Sequence, residues 1–303
     1  RGVAEGGLNP HGAEEVMARG LRTALLHCLA QAVLYVGALY AIPQRVRALQ
    51  RNDVEHIQWR LAMCGVASAL AVVDTVAVLD DTSALEGFFA STGALSSVAK
   101  SLLFILVLFV GPTAVAGFLA FARGAETLAH GRGAARALDA AVLPARMALQ
   151  TPWQLLRNIV VGPVTEELVF RGLMVPLLLQ PGLSHAQVIA GVPLFFGVAH
   201  VHHVYGMVQA GVSVGEACTA AVVQFAYTWL FGAIAATLML RTNSVYGAMA
   251  AHVLCNIFGL PDLSFFSAEQ AQWSPAFARL YSRRWALLAL HAVGAVAAAW
   301  VVW

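Results

Sequence analysis

Five long apolar runs restrict most strongly what this chain can fold into. A helix needs about 20 mostly apolar residues to cross a bilayer core of roughly 30 Å. Lipid leaves backbone N–H and C=O groups without partners unless the segment is a helix or part of a closed barrel. No alternation typical of barrel strands is present, so we expect an all-α, polytopic integral membrane protein. The runs lie near residues 23–42, 61–79, 99–121, 218–240 and 285–303.

The composition agrees with a membrane protein and argues against two other classes. Hydrophobic residues make up 59% of the chain and charged residues only 11%, whereas soluble domains carry about 25% charge. The basic residues are scattered and the formal net charge is +2, so we expect no nucleic-acid partner. The four cysteines lack CxxC or finger-like spacing and predict neither a disulfide framework nor a cysteine zinc site.

Three further apolar segments are shorter or interrupted, and they contain nearly all the polar groups that we expect to be buried. They are 153–180, broken by Gly162-Pro163, then 187–201, with Pro193 inside, and 245–260. Together with the five runs they predict about eight transmembrane helices around a buried polar site. We expect residues 1–22 to form an extramembrane leader or interfacial helix, and residues 23–303 a single transmembrane domain.

The connecting segments predict an orientation, because Lys and Arg collect in the cytosolic loops of membrane proteins. The connections 43–60 and 122–152 each contain four arginines, whereas 80–98 contains three carboxylates and no Lys or Arg. We therefore expect 43–60 and 122–152 to face the cytosol. Counting onward along the chain, residues 202–217 and 262–284 are expected on the same side.

Residues 162–172, Gly-Pro-Val-Thr-Glu-Glu-Leu-Val-Phe-Arg-Gly, place three charged side chains in an apolar segment. One charge at the centre of a membrane helix costs about 2.5 to 3.5 kcal/mol, so these charges need neutralisation or a function. Glu167 and Arg171 are four residues apart and can pair on one helical face, while Glu166 points about 100° away. We expect Thr165 to cap a helix that begins after the Gly-Pro pair. A purely structural pairing of both acids with arginines is the alternative.

Two more polar sites follow on the other interrupted segments. His200 ends the sequence Phe-Gly-Val-Ala-His, and His252 and Asn256 stand four residues apart on one predicted helical face. Such a pair presents two hydrogen-bond donors to one point, as an oxyanion requires. The alternative for each residue alone is an interhelical hydrogen bond, worth about 0.6 kcal/mol.

Together these residues supply what proteolysis within a membrane needs. Ionisable groups inside a membrane are functional-site candidates by default. Glu166 with His200 can hold and deprotonate a water molecule, and His252 with Asn256 can stabilise the tetrahedral oxyanion. The sequence therefore favours a hydrolase with a buried aqueous site.

Three motifs, in this order, resemble the CAAX-protease and bacteriocin-processing family of intramembrane glutamate proteases. They are Glu-Glu-x-x-x-Arg at 166–171, Phe-x-x-x-His at 196–200 and His-x-x-x-Asn at 252–256. Longer stretches are similar to the eukaryotic type II CAAX prenyl endopeptidase branch of that family. These are Phe-Gly-Val-Ala-His-Val-His-His at 196–203, Gln-Phe-Ala-Tyr-Thr at 224–228 and Phe-Gly-Ala at 231–233.

The resemblance implies a role for each motif residue. Glu166 and His200 would activate the attacking water, and His252 and Asn256 would form the oxyanion hole. The residues expected to support the site are Glu167, Arg171 and Phe196. The resemblance further implies a catalytic core over residues 151–262, with neither a metal nor another cofactor.

The same resemblance implies substrates and a location. The expected reaction removes the last three residues, aaX, from prenylated CAAX proteins such as Ras-like GTPases, whether farnesylated or geranylgeranylated. The expected location is the endoplasmic reticulum membrane, where the multi-pass protein would keep its active site accessible from the cytosol. The lipid bilayer is thus itself an expected partner.

Three alternatives stay open. Glu166, His200 and His252 could bind a catalytic zinc ion, although no HExxH motif is present. Cys255 could act as a nucleophile with His252, although cysteine is a common small apolar residue. A non-catalytic binding or transport protein of the same fold would also contain broken helices with buried charges.

Overall fold

The computed structural model describes residues 10–129, 151–272 and 274–302, and these residues form helices without any β-strand. Five of the described helices are long and apolar enough to span a membrane. A sixth span results if two helices that meet at 69° are counted together. The prediction of an all-α, polytopic membrane protein is confirmed. The five spans are Glu14–Ala38, Val54–Val78, His185–Gln209, Val214–Thr242 and Arg284–Val301.

The helices are numbered here in chain order. The first six are α1 (Pro10–Ala38), α2 (Gln44–Arg47), α3 (Val54–Val78), α4 (Ser83–Phe89), α5 (Ala94–Leu108) and α6 (Val110–Ala129). Then follow α7 (Pro152–Leu155), α8 (Gly162–Glu167), α9 (Met174–Leu179), α10 (His185–Ala199), α11 (His202–Gln209), α12 (Val214–Thr242) and α13 (Val245–Phe258). The last two are α14 (Pro275–Ser282) and α15 (Arg284–Val302). Short 3-10 turns at Ser264–Phe266 and Gln270–Gln272 precede α14.

The predicted leader, residues 1–22, overlaps the first turns of helix α1. Helix α1 begins at Pro10 and continues without interruption to Ala38, so residues 10–22 are helical and continuous with the first span. Residues 1–9 lie outside the described residues, as do residues 130–150 of the second connection predicted to be cytosolic and positions 273 and 303. The division into a leader and a single transmembrane domain stays a prediction.

The single span predicted over 99–121 is wrong, because two consecutive helices cover it. Helix α5 ends at Leu108 and α6 begins at Val110. Pro112 has no N–H to donate to the carbonyl of Leu108, four residues earlier, so the helical ladder is interrupted at this point. Hydropathy alone does not detect such a break, since the residues on both sides of it are apolar.

The chain divides into two compact units. The first unit comprises Arg1–Ala94 and Gly162–Met249, and the second comprises Leu95–Val161 and Ala250–Trp303. In the first unit α1 packs against α3, and α10 packs against α12. In the second unit α15 packs against α6, and Phe265 is buried there with Val115 and Leu280.

Glycines permit the close packing of α10 against α12 in the first unit. A Cβ atom on Gly197 would lie 2.7 Å from the ring of Phe225, and one on Gly232 would lie 2.8 Å from Cβ of Pro193. Small residues at such positions allow membrane helices to approach closely. The two helices are thereby held against each other beside the polar side chains described next.

Candidate active site

The segment with the two adjacent glutamates is a continuous helix, which we call the glutamate helix (residues 152–179). It consists of α7, α8 and α9 joined by the π-helical turns Leu156–Val161 and Leu168–Leu173. Its first residues are capped by Thr151, whose hydroxyl accepts a hydrogen bond from the backbone N–H of Gln154. Single π-helical turns inside α-helices are rare and are frequent at functional sites.

Two predictions about this segment are wrong. Gly162-Pro163 does not break the helix, and Thr165 is not its N-cap. In a regular α-helix the Pro163 ring would clash with the carbonyl of Ile159, but Ile159 lies in the wider π-helical turn. Thr165 therefore lies inside the helix, where its hydroxyl donates to the Gly162 carbonyl at 3.2 Å and contacts the Tyr35 hydroxyl at 2.8 Å.

Glu167 and Arg171 form the ion pair that their spacing predicts. Arg171 Nη1 donates to Glu167 Oε1 at 3.2 Å, and both side chains are fully buried. The guanidinium carbon lies 4.4 Å from the ring centre of Phe196 and 5.7 Å from that of Phe231. Aromatic faces attract such a cation, more strongly when it is desolvated. The pair thus neutralises two of the three charges and connects the glutamate helix to α10 and α12.

Glu166 occupies a different environment from its neighbour. It is half-buried, whereas Glu167 is fully buried. Its electrostatic neighbours include Tyr35 and Cys64 from α1 and α3, together with Arg171. The sequence predicted that Glu166 lies on another face of the helix from Glu167. The difference in burial between the two carboxylates agrees with that prediction.

His200 lies at the C-terminal end of α10, one turn after Phe196. Its Nδ1 atom is 2.7 Å from the Phe196 carbonyl oxygen, which can only accept a hydrogen bond. Nδ1 must therefore donate, and in the neutral ring the lone pair is on Nε2. The Phe196 ring also meets the imidazole edge to face, with 4.8 Å between the ring centres. Phe196 thus fixes the orientation and the tautomer of a potential base.

A row of aromatic rings connects the two parts of this region within the first unit. Successive ring centres are 5.6, 5.1, 4.8 and 5.7 Å apart. Edge-to-face aromatic pairs add about 0.5 to 1.5 kcal/mol each beyond their area burial. The row links the helix that contains Glu166 to the end of α10. It consists of Tyr35, Phe170, Phe196, His200 and His203.

Some polar partners in this region were not identified by sequence reasoning. Tyr35 stands in an apolar run, and a buried tyrosine hydroxyl needs a partner, which here is Thr165. His203 Nδ1 lies 3.0 and 2.9 Å from the two amide atoms of Gln224. His203 and Gln224 both belong to the motif stretches, but the sequence of those stretches does not reveal that the two side chains pair.

The predicted oxyanion residues lie in the second unit. His252 is buried in α13, and Asn256 follows one turn later on the same helix. Asn256 is exposed, and its Nδ2 atom donates to the Asn158 carbonyl at 2.8 Å. An amide group has two N–H donors, so this bond orients the Asn256 side chain and leaves its second N–H for another acceptor.

The sequence-predicted residues thus fall into two groups. Glu166, Glu167, Arg171, Phe196 and His200 belong to the first unit. Phe196 contacts both Arg171 and His200, and Arg171 pairs with Glu167. His252 and Asn256 belong to the second unit. Within the described ranges no group of three or more His, Cys, Asp or Glu side chains is arranged to hold a metal ion.

Comparison with known proteins identifies the family. A sequence model of the family described as "Type II CAAX prenyl endopeptidase Rce1-like" matches residues 148–258. CAAX prenyl protease 2 of Homo sapiens is 33% identical over 245 residues, which cover 77% of this chain and 70% of that protein. Probable CAAX prenyl protease 2 of Schizosaccharomyces pombe is 33% identical over 76% of this chain and 78% of its own length.

A shorter match agrees with these two. CAAX prenyl protease 2 of Arabidopsis thaliana is 42% identical over 108 residues, or 35% of each chain. No solved structure matches the chain. The family that the motifs resemble is confirmed by the relatives from Homo sapiens and Schizosaccharomyces pombe. The chain belongs to the type II CAAX prenyl endopeptidase family of proteases.

Proposed function

We propose that this protein removes the C-terminal tripeptide aaX from prenylated CAAX proteins by hydrolysis within the membrane. The observation that supports this most directly is the contrast between two adjacent carboxylates. Glu167 is fully buried and neutralised by Arg171, whereas Glu166 is half-buried on another face of the same helix. A carboxylate that is partly accessible to water can serve as a base.

In the proposed mechanism Glu166 and His200 hold a water molecule and take one of its protons. The water oxygen forms a bond to the carbonyl carbon of the prenylated cysteine. The carbonyl oxygen becomes an oxyanion, which accepts hydrogen bonds from His252 and Asn256. The C–N bond then breaks, and the proton passes from the base to the leaving amine of the tripeptide.

The remaining motif residues position this machinery. Arg171, paired with Glu167, packs on the Phe196 ring, and the Phe196 carbonyl holds His200 in the tautomer whose lone pair is on Nε2. Removing one donor from an oxyanion hole commonly lowers kcat by about 10²- to 10³-fold. Variants of His252 or Asn256 that fold normally should fall in that range.

The proposed substrates are proteins such as Ras-like GTPases with a farnesyl or geranylgeranyl chain on the CAAX cysteine. Such a chain gains about 0.8 kcal/mol per buried CH₂ on entering lipid, which brings the scissile bond to a membrane-embedded enzyme. We place the protein in the endoplasmic reticulum membrane with its site open to the cytosol. The arginine-rich connection 43–60 supports that orientation.

The test is mass spectrometry of a farnesylated CAAX peptide incubated with the purified protein in detergent or liposomes. Release of the intact C-terminal tripeptide is the expected result, and the matched unprenylated peptide should be cleaved far more slowly. Release of single residues, or cleavage at another bond, contradicts the proposal. The same reaction in excess EDTA and phenanthroline tests the zinc alternative, because loss of activity under these conditions would indicate that the enzyme requires a metal.

A further inference from the structure

Arg60 is an arginine that the proposed mechanism does not use. It is half-buried in the second turn of α3. In the described part of the chain it forms no ion pair with a carboxylate, whereas Arg45 pairs with Glu55 and Arg171 pairs with Glu167. Arginine is rarely buried without a partner, and a partly desolvated, unpaired guanidinium is a natural binding group for an anion.

Arg60 lies one helical turn from the residues around Glu166. Cys64 is four residues further along α3, or about 6 Å along the helix axis. The Cys64 side chain interacts with the Tyr35 hydroxyl, which in turn contacts Thr165. Thr165 directly precedes Glu166 in α8, and α3 packs against α8.

The histidine side of the region also lies near Arg60. His203 interacts electrostatically with both Arg60 and Arg51, and its ring meets that of His200 edge to face at 5.7 Å. Arg60 itself interacts with Tyr35 and Cys64. Its guanidinium is therefore within electrostatic range of groups that flank Glu166 and of groups that flank His200. All of these residues belong to the first unit.

The chemistry of a CAAX substrate calls for a cation at such a place. The CAAX box is by definition the C-terminus of its protein, so the leaving tripeptide ends in a free carboxylate. Three extended residues span about 10 Å, which sets the reach from the scissile carbonyl to that carboxylate. Arg171 cannot bind it, because its side chain is fully buried and paired with Glu167.

We propose that Arg60 binds the terminal α-carboxylate of the CAAX substrate. This inference rests on the proposed function. It explains how the enzyme selects the peptide bond that lies three residues from the C-terminus. A planar guanidinium suits two-point recognition of a carboxylate. The substrate carboxylate also completes an ion pair that the free enzyme lacks in its described residues. Arg60 thus makes the enzyme selective for a C-terminal tripeptide over an internal sequence.

The experiment compares two farnesylated CAAX peptides that differ only in a free C-terminal carboxylate or a C-terminal amide. The parent protein should cleave the acid with a kcat/KM about 10- to 100-fold above that for the amide. In Arg60→Ala the value for the acid should fall to that for the amide, mainly through KM. The rate for the amide and the kcat at saturating acid should change less than about threefold.

Two further variants make the result decisive. Arg47→Ala removes an exposed arginine from α2 and should keep the parent acid-to-amide ratio. Arg60→Gln retains most of the side-chain length but not the charge, and it should cleave the acid and the amide at similar rates, like Arg60→Ala. It replaces the alanine variant in the comparison if that variant does not fold.

Two results overturn the assignment of Arg60 alone. They are an unchanged acid-to-amide ratio in folded Arg60 variants, and equal cleavage of both peptides by the parent protein. A third result, no tripeptide release from either peptide by the parent, overturns the proposed function itself and this inference with it. The three results are distinguishable in the same set of reactions.

Discussion

Two polar clusters in the first unit show how differently charges can be placed in a membrane protein. The α1–α3 cluster consists of His27, Gln31, Asp74 and Thr75. The Asp74 carboxylate lies 2.8 Å from His27 Nδ1 and accepts from Gln31 Nε2 at 2.9 Å, so its bonds join two helices. His27 and Asp74 remain 30% and 32% exposed.

The Glu167–Arg171 pair differs in both respects. Its two side chains are fully buried, and both belong to the glutamate helix. An ion pair within one helix cannot by itself fasten that helix to another, and its burial carries a large desolvation penalty. The stacking of Arg171 on Phe196 offsets part of that penalty. We infer that the α1–α3 cluster stabilises helix packing, whereas the buried pair positions the residues that are proposed to be catalytic.

The largest expected effect is that of Arg171→Met. It leaves Glu167 buried without its cation, which for buried pairs costs about 3 to 5 kcal/mol. We expect the variant to melt well below the parent in detergent or to fail to fold. A melting temperature equal to the parent value contradicts the assignment of this pair as a buried charge balance.

The double variant Glu167→Leu with Arg171→Met sharpens the same point. Replacing a buried ion pair with apolar residues of similar volume is often neutral or stabilising, so we expect most of the stability to return. Tripeptide release should remain low, because Phe196, which orients His200, loses the guanidinium that packs on its ring. Full recovery of both stability and activity would show that the pair has no positioning role.

A smaller effect is expected for Gly232→Ala. The added Cβ would lie 2.8 Å from Arg171 Nη2 and 2.8 Å from Pro193 Cβ, and overpacking of this kind costs about 1 to 3 kcal/mol. Thermal melting and turnover should both decrease. The matched control is Gly37→Ala in α1, where no atom lies within 4 Å of the new Cβ. The control should be neutral or slightly stabilising, since alanine is the better helix former.

The smallest effect is expected for Asp74→Asn. The amide keeps the size of the side chain and part of its hydrogen bonding to His27 and Gln31. Interhelical hydrogen bonds in membranes are worth about 0.6 kcal/mol on average, so we expect a small decrease in melting temperature and a parent-like kcat/KM. A folded Asp74→Asn protein with strongly reduced turnover would contradict the structural role of this cluster.

The sequence predicted those features that depend on local spacing. The Glu167–Arg171 pair, the polytopic helical fold and the family follow from residues four apart, from the lengths of apolar runs and from motif order. The continuity of the helix through Pro163 was not predictable, because π-helical turns leave no signature in hydropathy or spacing. The break at Phe109 depends on one proline in a uniformly apolar run.

The α1–α3 cluster was missed for a different reason. His27 and Gln31 are four residues apart, and Asp74 is an isolated carboxylate in the second apolar run. Such polar side chains in membrane segments indicate that each needs a buried partner. His27 and Asp74 are 47 residues apart in the sequence. Predicting their contact requires the relative register of the two helices, which one sequence does not contain. The catalytic roles of Glu166, His200, His252 and Asn256 stay predictions that only activity can test.

We propose that Glu166, and not the charge-balancing Glu167, activates the water. This role of Glu166 is tested most directly by measuring tripeptide release from a farnesylated CAAX peptide by Glu166→Gln, with Asp74→Asn as the matched carboxylate-to-amide control. We predict that Glu166→Gln melts like the parent but loses about 10²- to 10⁴-fold in kcat, while the control retains the parent rate. Release of the tripeptide at the parent rate by folded Glu166→Gln would contradict the account.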